Sequence, residues 1–356
     1  MSDEARIPVT FSGNSREYFG IWIVNILLSL ATLGIYSAWA KVRTKKYFHQ
    51  HTSIAGRRFD YHATGVQILI GRLIVLAAIV AISVLSTAVP PLGGLVWLLL
   101  IFLTPWLLNR SMRFNAAMTS WSNVRFRFRG QYWRAFRVFV LYPFLVLFTF
   151  YLAFPFVARA SNRYIVNHRS LGQFRFWFES GIGPFYKAFL LAILWGIGSI
   201  VVIASLTGLG FLLNPPEAPT GLGSNGELGP WSPAVLQFVP LLVMLVAFLP
   251  ARFIYSAFVR NAVYGATRLG DRARFQSTVN PLKMVWIALS NAALIVVSIG
   301  LLTPWARVRM ATYLAANTYV IPQGSFDDLA GQVEQEQTAI GDAYTDFESV
   351  DLGVGI

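Results

Sequence analysis

A tryptophan, an arginine and a tyrosine at helical spacing are the clearest candidate binding residues. Trp39, Arg43 and Tyr47 lie four residues apart, so on a helix they share one face. The pattern recurs downstream at Trp106, Arg110 and Phe114, and at Trp305, Arg309 and Tyr313. An arginine between aromatic rings matches the geometry of a phosphate, which predicts contacts with an anionic headgroup or ligand. The alternative is a belt of aromatic and basic side chains that only fixes helix depth in a membrane.

Two asparagines are the candidate polar groups inside apolar segments. Asn25 and Asn291 occupy equivalent positions, because the segments around them align without a gap through Thr52 and Thr318. They would either line a polar path or form hydrogen bonds between packed helices.

No residue pattern predicts catalysis, a metal or a cofactor. His49 and His51 diverge on a predicted helix, and no acidic cluster accompanies them or His62, so we predict no metal site. No nucleophile motif, phosphate-binding lysine loop or metalloprotease motif occurs, and the chain has no cysteine. We therefore predict that the protein is not an enzyme and carries no cofactor.

The composition is typical of a membrane protein. Hydrophobic residues make up 55% of the 356 residues and charged residues only 13%. All 29 Lys and Arg precede Gly324, whereas eight acidic residues follow it, so the body is basic and the tail acidic. Because the basic residues lie between apolar segments, we predict anionic membrane lipids as partners and no nucleic acid. The sequence indicates no particular protein partner.

Seven apolar segments alternate with five basic and aromatic units. The segments cover about 19–38, 66–88, 92–108, 138–158, 185–213, 234–250 and 282–303. Helices of such length can cross a membrane. This pattern predicts an all-α integral membrane fold with about seven hydrophobic helices, internal repeats, short interfacial strands and basic amphipathic helices.

The predicted organisation has five parts. These are a polar N-terminal segment (1–19), a first membrane repeat (20–130), a second membrane repeat (131–280), a third, partial repeat (281–323) and an acidic, disordered tail (324–356).

Two membrane topologies are consistent with the apolar segments. If all seven cross, the second half is inverted relative to the first, as in many secondary transporters. That arrangement places similarly basic units on opposite sides, which conflicts with the cytoplasmic excess of Lys and Arg. If instead the first, fourth and seventh segments are re-entrant or lie in one leaflet, every basic unit stays cytoplasmic.

The stretch from Tyr18 to Tyr61 resembles the YjgN-like family of bacterial inner-membrane proteins. The resemblance rests on the motifs at 21–25, 32–36 and 39–43, on Tyr47 and Phe48, and on the later run 303–309. It covers about residues 8–323 and implies a multi-pass protein of the bacterial inner membrane. It implies no catalytic residue, since the family has no known function.

Two functions follow as expectations. The first is transport, or a channel-like activity, for an anionic solute. The alternative is a non-catalytic membrane scaffold that organises anionic lipid or a protein partner.

Overall fold

The computed structural model describes residues 6–88, 92–213 and 244–324, together with Phe326 and Gly331. The chain falls into two compact units. The first comprises Met1–Ser180, Val263–Thr278 and Leu301–Ile356, and the second comprises Gly181–Ala262 and Val279–Gly300. Most of the predicted acidic tail, and most of the predicted segment 234–250, lie outside the described residues.

Ten short strands of the first unit close into an antiparallel barrel. Neighbours in sequence are neighbours in the barrel, and β1 closes the ring against β10, with Ile7 opposite Val320. The strands are β1 (Ile7–Phe11), β2 (Thr52–Ile54), β3 (Arg57–Tyr61), β4 (Thr119–Trp121), β5 (Val124–Phe128), β6 (Arg169–Leu171), β7 (Phe174–Phe178), β8 (Thr267–Leu269), β9 (Ala273–Ser277) and β10 (Thr318–Pro322).

The barrel interior is apolar because side chains alternate along each strand. In β5, Phe126 points into the core while Arg125 and Arg127 are exposed on the outer wall. One phenylalanine from each of four alternate strands lines the interior, and successive ring centroids are 5.9 to 6.4 Å apart. These four residues are Phe59, Phe126, Phe176 and Phe275.

A phenylalanine from beyond the last strand closes the interior. Phe326 packs edge-on against Trp121, with ring centroids 5.9 Å apart. The space left inside is an apolar cavity of about 60 Å³. Apolar cavities of this kind stay dry, so the described barrel is a packed core and not a pore.

Between the strands, the chain makes five helical excursions. The helices of the described residues are α1 (Ser15–Ala31), α2 (Ser37–Gln50), α3 (Gly65–Ala88), α4 (Leu92–Ala117), α5 (Tyr132–Phe136), α6 (Tyr142–Phe148), α7 (Phe154–Asn167), α8 (Gly183–Leu213), α9 (Leu249–Gly265), α10 (Pro281–Val297) and α11 (Thr303–Ala316). The first, second and fifth excursions have two helices each, the third has three, and the described part of the fourth has α8 and α9. The π-helical turn Arg137–Leu141 joins α5 to α6, and another, Met244–Phe248, precedes α9.

All five excursions leave the barrel at one end. Each follows an odd-numbered strand and returns on the next even-numbered strand. Because the barrel is antiparallel, the odd strands finish where the even strands begin. Both ends of each excursion are therefore fixed at that same end of the barrel.

Side-chain caps fix the residues at which three of the helices begin. The side chains of Asn14 and Asn280 accept backbone N–H groups in the first turns of α1 and α10. Thr64 and Gln67 cap α3 reciprocally, each backbone N–H donating to the side chain of the other, at 3.1 and 3.3 Å.

The excursions have two lengths. Helix α1 has 17 residues, so at about 1.5 Å per residue it is shorter than a hydrocarbon core of about 30 Å. It ends in a turn with positive φ at Leu33 and Gly34, and the side chain of Leu33 is 96% exposed. Similar turns follow α6 at Phe150 and α10 at Ile299. Exposed apolar tips of this kind are suited to insertion into lipid.

The longer helices are those that can cross a membrane. Three spans qualify by length and composition among the described residues, namely Gly65–Thr87, Gly94–Ala117 and Gly183–Leu206. The chain is therefore a membrane protein with three candidate spans in its described part.

The described residues of the second unit form helices and include no strand. This unit contains α8, the π-helical turn Met244–Phe248, most of α9, and α10. The Asn261 side chain binds both backbone groups of Val279, donating to the carbonyl at 2.9 Å and accepting from the N–H at 3.1 Å. This pair of hydrogen bonds ties α9 to the residues that precede α10.

The prediction of an all-α fold with about seven membrane helices is wrong. The strands expected to be separate interfacial elements form one closed barrel, and three described helices, not seven, qualify as spans. The apolar runs before the turns at Leu33, Phe150 and Ile299 were counted as spans because the turns interrupt them without a charged residue. The division into membrane repeats 20–130, 131–280 and 281–323 stays a prediction.

Buried tyrosines fix the last helix of an excursion to the start of its first helix. The Tyr47 hydroxyl donates to the carbonyl of Asn14 at 2.9 Å and accepts from the N–H of the same residue at 2.7 Å. The Tyr164 hydroxyl lies 2.6 Å from Oδ1 of Asn109 and 3.1 Å from the carbonyl of Gln131, and donates to one of them. Both tyrosines are 4% exposed.

We expect Gly130→Ala to destabilise the protein by about 1–3 kcal/mol, because an added Cβ overpacks this junction. The Cβ would overlap the amide oxygen of Asn109 and lie 2.5 Å from the Tyr164 hydroxyl. Thermal melting of the purified protein measures the effect. Gly20→Ala is the matched control, since a Cβ there meets nothing within 4 Å. Equal melting temperatures for the two variants would show that the junction is not packed as described.

We expect the hairpin turns of the barrel to face one side of the membrane. Single cysteines at Asn123 and Gly172, in the β4–β5 and β6–β7 turns of this cysteine-free chain, test this. An impermeant thiol reagent added to cells should label both only after permeabilisation. A cysteine at Thr87, at the far end of α3, should be labelled without it. Labelling of Asn123 and Gly172 from opposite sides would contradict the shared barrel end.

Candidate functional site

Two of the three predicted arginines stack on their tryptophans. The guanidinium of Arg110 lies 5.2 Å from the ring centre of Trp106, and that of Arg309 lies 5.0 Å from the ring centre of Trp305. Arrangements of this kind contribute about 0.5–1 kcal/mol at exposed sites. They hold the cation at the surface of the helix.

The first tryptophan–arginine–tyrosine stripe, formed by Trp39, Arg43 and Tyr47 along one face of α2, has different contacts. Arg43 donates from Nη1 to the hydroxyl of Tyr36 at 2.9 Å, and Trp39 stacks on the same tyrosine with ring centroids 6.1 Å apart. Tyr36 lies in the turn before α2, a position that the helical spacing did not include.

The third residue of the stripe is structural. Tyr47 and Tyr313 are buried, at 4% and 8% exposure. Tyr47 also stacks on Tyr18, with ring centroids 5.2 Å apart. Its hydroxyl is occupied by Asn14, so the structure does not present this residue to a ligand. The tryptophans and arginines of the stripe remain candidate contacts.

Asn25 is a buried amide for which the described residues provide no hydrogen-bond partner. Its side chain is 5% exposed, and both Oδ1 and Nδ2 lack a partner. A buried amide in this state costs about 1–3 kcal/mol unless a ligand or water binds it. Asn291 is also buried, at 7% exposure, and belongs to the second unit.

Asn25 lines a cavity of about 750 Å³ in the first unit. The walls come from α1, the turn after it, and α2, with one side chain each from α3 and α11. We call it the hairpin cavity. Four cationic side chains reach it, namely Lys41, Lys45, Arg72 and Arg307. The described lining includes no carboxylate.

The hairpin cavity is amphipathic. Its apolar lining comes from Trp22, Ile26 and Leu30 on α1 and from Leu33 at the exposed tip of the turn. Asn25 and the four cations supply the polar part. A cavity with both kinds of wall fits a molecule that has a charged head and an apolar body.

Hydrogen bonds orient the cations of the hairpin cavity. Arg72 donates from Nη1 to the Ser37 hydroxyl. The ammonium of Lys45 donates to Oδ1 of Asn115 at 2.7 Å and lies over the ring of Tyr61, 4.7 Å from its centre. Arg307 donates to the hydroxyl of Tyr18 at 3.0 Å.

The charge of the hairpin cavity is uncompensated at Lys45. Burial lowers the pKa of Lys45, and the nearby ammonium of Lys41 lowers it further. Both causes disfavour the charged form of Lys45. A bound anion would favour the charged form of Lys45.

The histidines bind protein groups. Nδ1 of His49 lies 2.7 Å from the carbonyl of Lys45, and Nδ1 of His51 lies 2.8 Å from that of Tyr47. Nε2 of His62 lies 2.8 Å from the Ser120 hydroxyl. Within the described ranges, no three metal-binding side chains cluster.

Sequence reasoning missed Arg72 and the hairpin cavity. Arg72 stands alone in the apolar run of α3, and a lone arginine in such a run is a signal for function. The joint position of Lys41 and Arg307 had no such signal, since α2 and α11 are far apart in sequence.

Comparison with known proteins gives a family without a known activity. The profile described as bacterial protein of unknown function (DUF898) matches residues 6–347. Inner membrane protein YjgN of Salmonella typhimurium strain LT2 is 26% identical, covering 92% of this chain and 91% of that protein.

The same-named protein of Escherichia coli O157:H7 is 25% identical over the same shares. That of Escherichia coli K12 is 37% identical over 35% of this chain and 33% of that protein. No solved structure matches. Because the profile spans nearly the whole chain, the protein belongs to the DUF898 family of bacterial proteins, whose named relatives are YjgN inner membrane proteins.

Proposed function

We propose that this protein is a multi-pass protein of the bacterial inner membrane that holds anionic lipid in the hairpin cavity and performs no catalysis. The barrel lies on the cytoplasmic side in this proposal. Its support is that all 29 Lys and Arg precede Gly324 and that the helical excursions share one barrel end. Basic segments next to membrane helices favour the cytoplasmic side.

One observation carries the proposal. The Asn25 amide, which has no hydrogen-bond partner among the described residues, lines the same amphipathic cavity as four cationic side chains. A phosphate placed near Lys41 and Arg307 would accept charge-assisted hydrogen bonds. The Asn25 amide would then have a partner in the headgroup or glycerol region. The acyl chains would lie along Ile26, Leu30 and Leu33.

The position of Arg72 supports a lipid more than a soluble anion. Arg72 lies seven residues inside α3, a candidate span, and reaches back to Ser37. Long cations near the ends of membrane helices place their charge at headgroup depth in this way. A headgroup at that depth is in the plane of the lipid leaflet.

Transport of an anionic solute is less well supported. The barrel interior is filled by apolar side chains and leaves about 60 Å³. Helical pairs that return to one barrel end do not generate inverted halves.

We expect Lys41→Gln with Arg307→Gln to lower the retention of anionic lipid. At about 1 kcal/mol per basic residue near an anionic headgroup, the ratio of anionic to zwitterionic lipid bound should fall roughly tenfold or more. Native mass spectrometry of the full chain, purified in mild detergent, measures this ratio. The control is Arg125→Gln with Arg175→Gln, which removes the same charge from exposed sites on the outer wall of the barrel.

A second variant tests the role of the buried amide. Asn25→Leu keeps the size of the side chain but removes its polar atoms, so it should lower lipid retention without lowering the melting temperature.

An equal loss of lipid in the Lys41/Arg307 variant and the barrel-wall control would mean that net charge alone retains lipid, which would contradict the proposed site.

A further inference from the structure

A second cavity, of about 570 Å³, lies beside the third excursion of the first unit. Its walls come from α5, the π-helical turn, α6 and α7, with Trp177 of β7 at one side. We call it the arginine pocket, because four arginines line it. They are Arg134, Arg137, Arg159 and Arg163. It shares no lining residue with the hairpin cavity.

The four arginines form two pairs on two walls. Arg134 and Arg137 are three residues apart where α5 passes into the π-helical turn, and Arg159 and Arg163 are four residues apart on α7. Side chains at these spacings lie on one helix face. Each pair can therefore direct two guanidinium groups at the same point.

The floor of the arginine pocket is fixed by hydrogen bonds. Arg159 donates from Nε to the carbonyl of Ser180 at 2.7 Å, which orients its guanidinium. Nδ1 of His168 lies 2.7 Å from the carbonyl of Tyr164, whose own hydroxyl is bound between Asn109 and Gln131. The walls also include Tyr142 at the end of the π-helical turn, a feature frequent at functional sites.

The charge of the arginine pocket calls for an anion. No carboxylate is among the described lining residues, and four guanidinium groups line the pocket. Arg159 is half-buried, whereas Arg134, Arg137 and Arg163 are exposed at its rim. A ligand with several negative charges would offset the mutual repulsion of these guanidinium groups.

We propose that the arginine pocket binds a ligand that carries two phosphate groups. One phosphate would lie between Arg134 and Arg137, and the other between Arg159 and Arg163. Arginine pairs bind phosphate oxygens in a bidentate manner, and two such pairs select a bis-phosphate over a single phosphate. The volume of about 570 Å³ is within the range of small-ligand sites.

Two sources supply this chemistry. A membrane lipid with two phosphates, such as cardiolipin, would enter from the leaflet, whereas a soluble diphosphate would enter from the aqueous side. The inference does not rest on the lipid proposed for the hairpin cavity, because the two sites have different residues and different test variants.

The soluble source is tested by titrating inorganic pyrophosphate into the full chain in nanodiscs of neutral lipid. We expect calorimetry to show tighter binding of pyrophosphate than of inorganic phosphate. Arg137→Gln with Arg163→Gln should weaken pyrophosphate binding by about tenfold or more, because each change removes a charge-assisted hydrogen-bond donor. Arg125→Gln with Arg175→Gln is the matched control and should bind as the unchanged protein does.

The lipid source is tested with nanodiscs that contain cardiolipin or an equal charge of phosphatidylglycerol. Native mass spectrometry should show that the protein retains cardiolipin preferentially, and that Arg137→Gln with Arg163→Gln removes this preference. Arg137→Lys with Arg163→Lys keeps the charge but not the bidentate geometry, so it should retain only part of the binding. An unchanged melting temperature of this lysine variant would show that its fold is intact.

Pyrophosphate binding lost only in the pocket variant would identify a soluble ligand, and loss of cardiolipin preference alone would identify the lipid. The proposal is overturned if neither probe binds better than its single-phosphate counterpart. It is also overturned if the barrel-wall control loses as much binding as the pocket variant. Loss of binding in the Lys41/Arg307 variant alone would place the bis-phosphate in the hairpin cavity.

Discussion

Closure of the ten-stranded barrel is the constraint on which the rest of the structure depends. Each strand has only three to five residues, and short strands with free edges are not stable alone. Closure gives every strand two partners, and the last pair joins Ile7 to Val320 across almost the whole chain. Every helical excursion is therefore a loop whose two ends are fixed at adjacent strands. The entropic cost of such closure grows slowly with loop length, so excursions of very different length fit the same barrel.

This constraint governs the relation of the chain to a membrane. Excursions that share one barrel end keep the basic segments near the strands together, whatever the length of the helices. The pair α3 and α4 is long and apolar enough to cross, whereas α1 stops after 17 residues at an exposed apolar tip. Length and the turn at Leu33 and Gly34, and not hydrophobicity alone, separate the two kinds of excursion.

The first and third excursions share a junction but differ in the cavity beside it. Tyr47 and Tyr164 both lie within hydrogen-bond distance of the residue that precedes the first helix of their excursion. The space between the helices is not shared in the same way. In the first excursion, the hairpin cavity combines cations with an apolar wall, and in the third, the arginine pocket collects two arginine pairs beside a π-helical turn. One architecture thus provides two separate cationic cavities of different character.

The sequence alone determined the membrane character, the basic body, the family resemblance and the alternation of apolar and basic segments. It also located the Trp106–Arg110 and Trp305–Arg309 pairs, because contacts between residues four apart are local to one helix. Only the tertiary structure decided the barrel, since strands such as Thr119–Trp121 are too short to specify partners that lie beyond intervening helices. It alone placed Lys41, Arg72 and Arg307 around Asn25 and showed Tyr47 to be buried. Those positions depend on how distant helices pack, and no local spacing in the sequence records that packing.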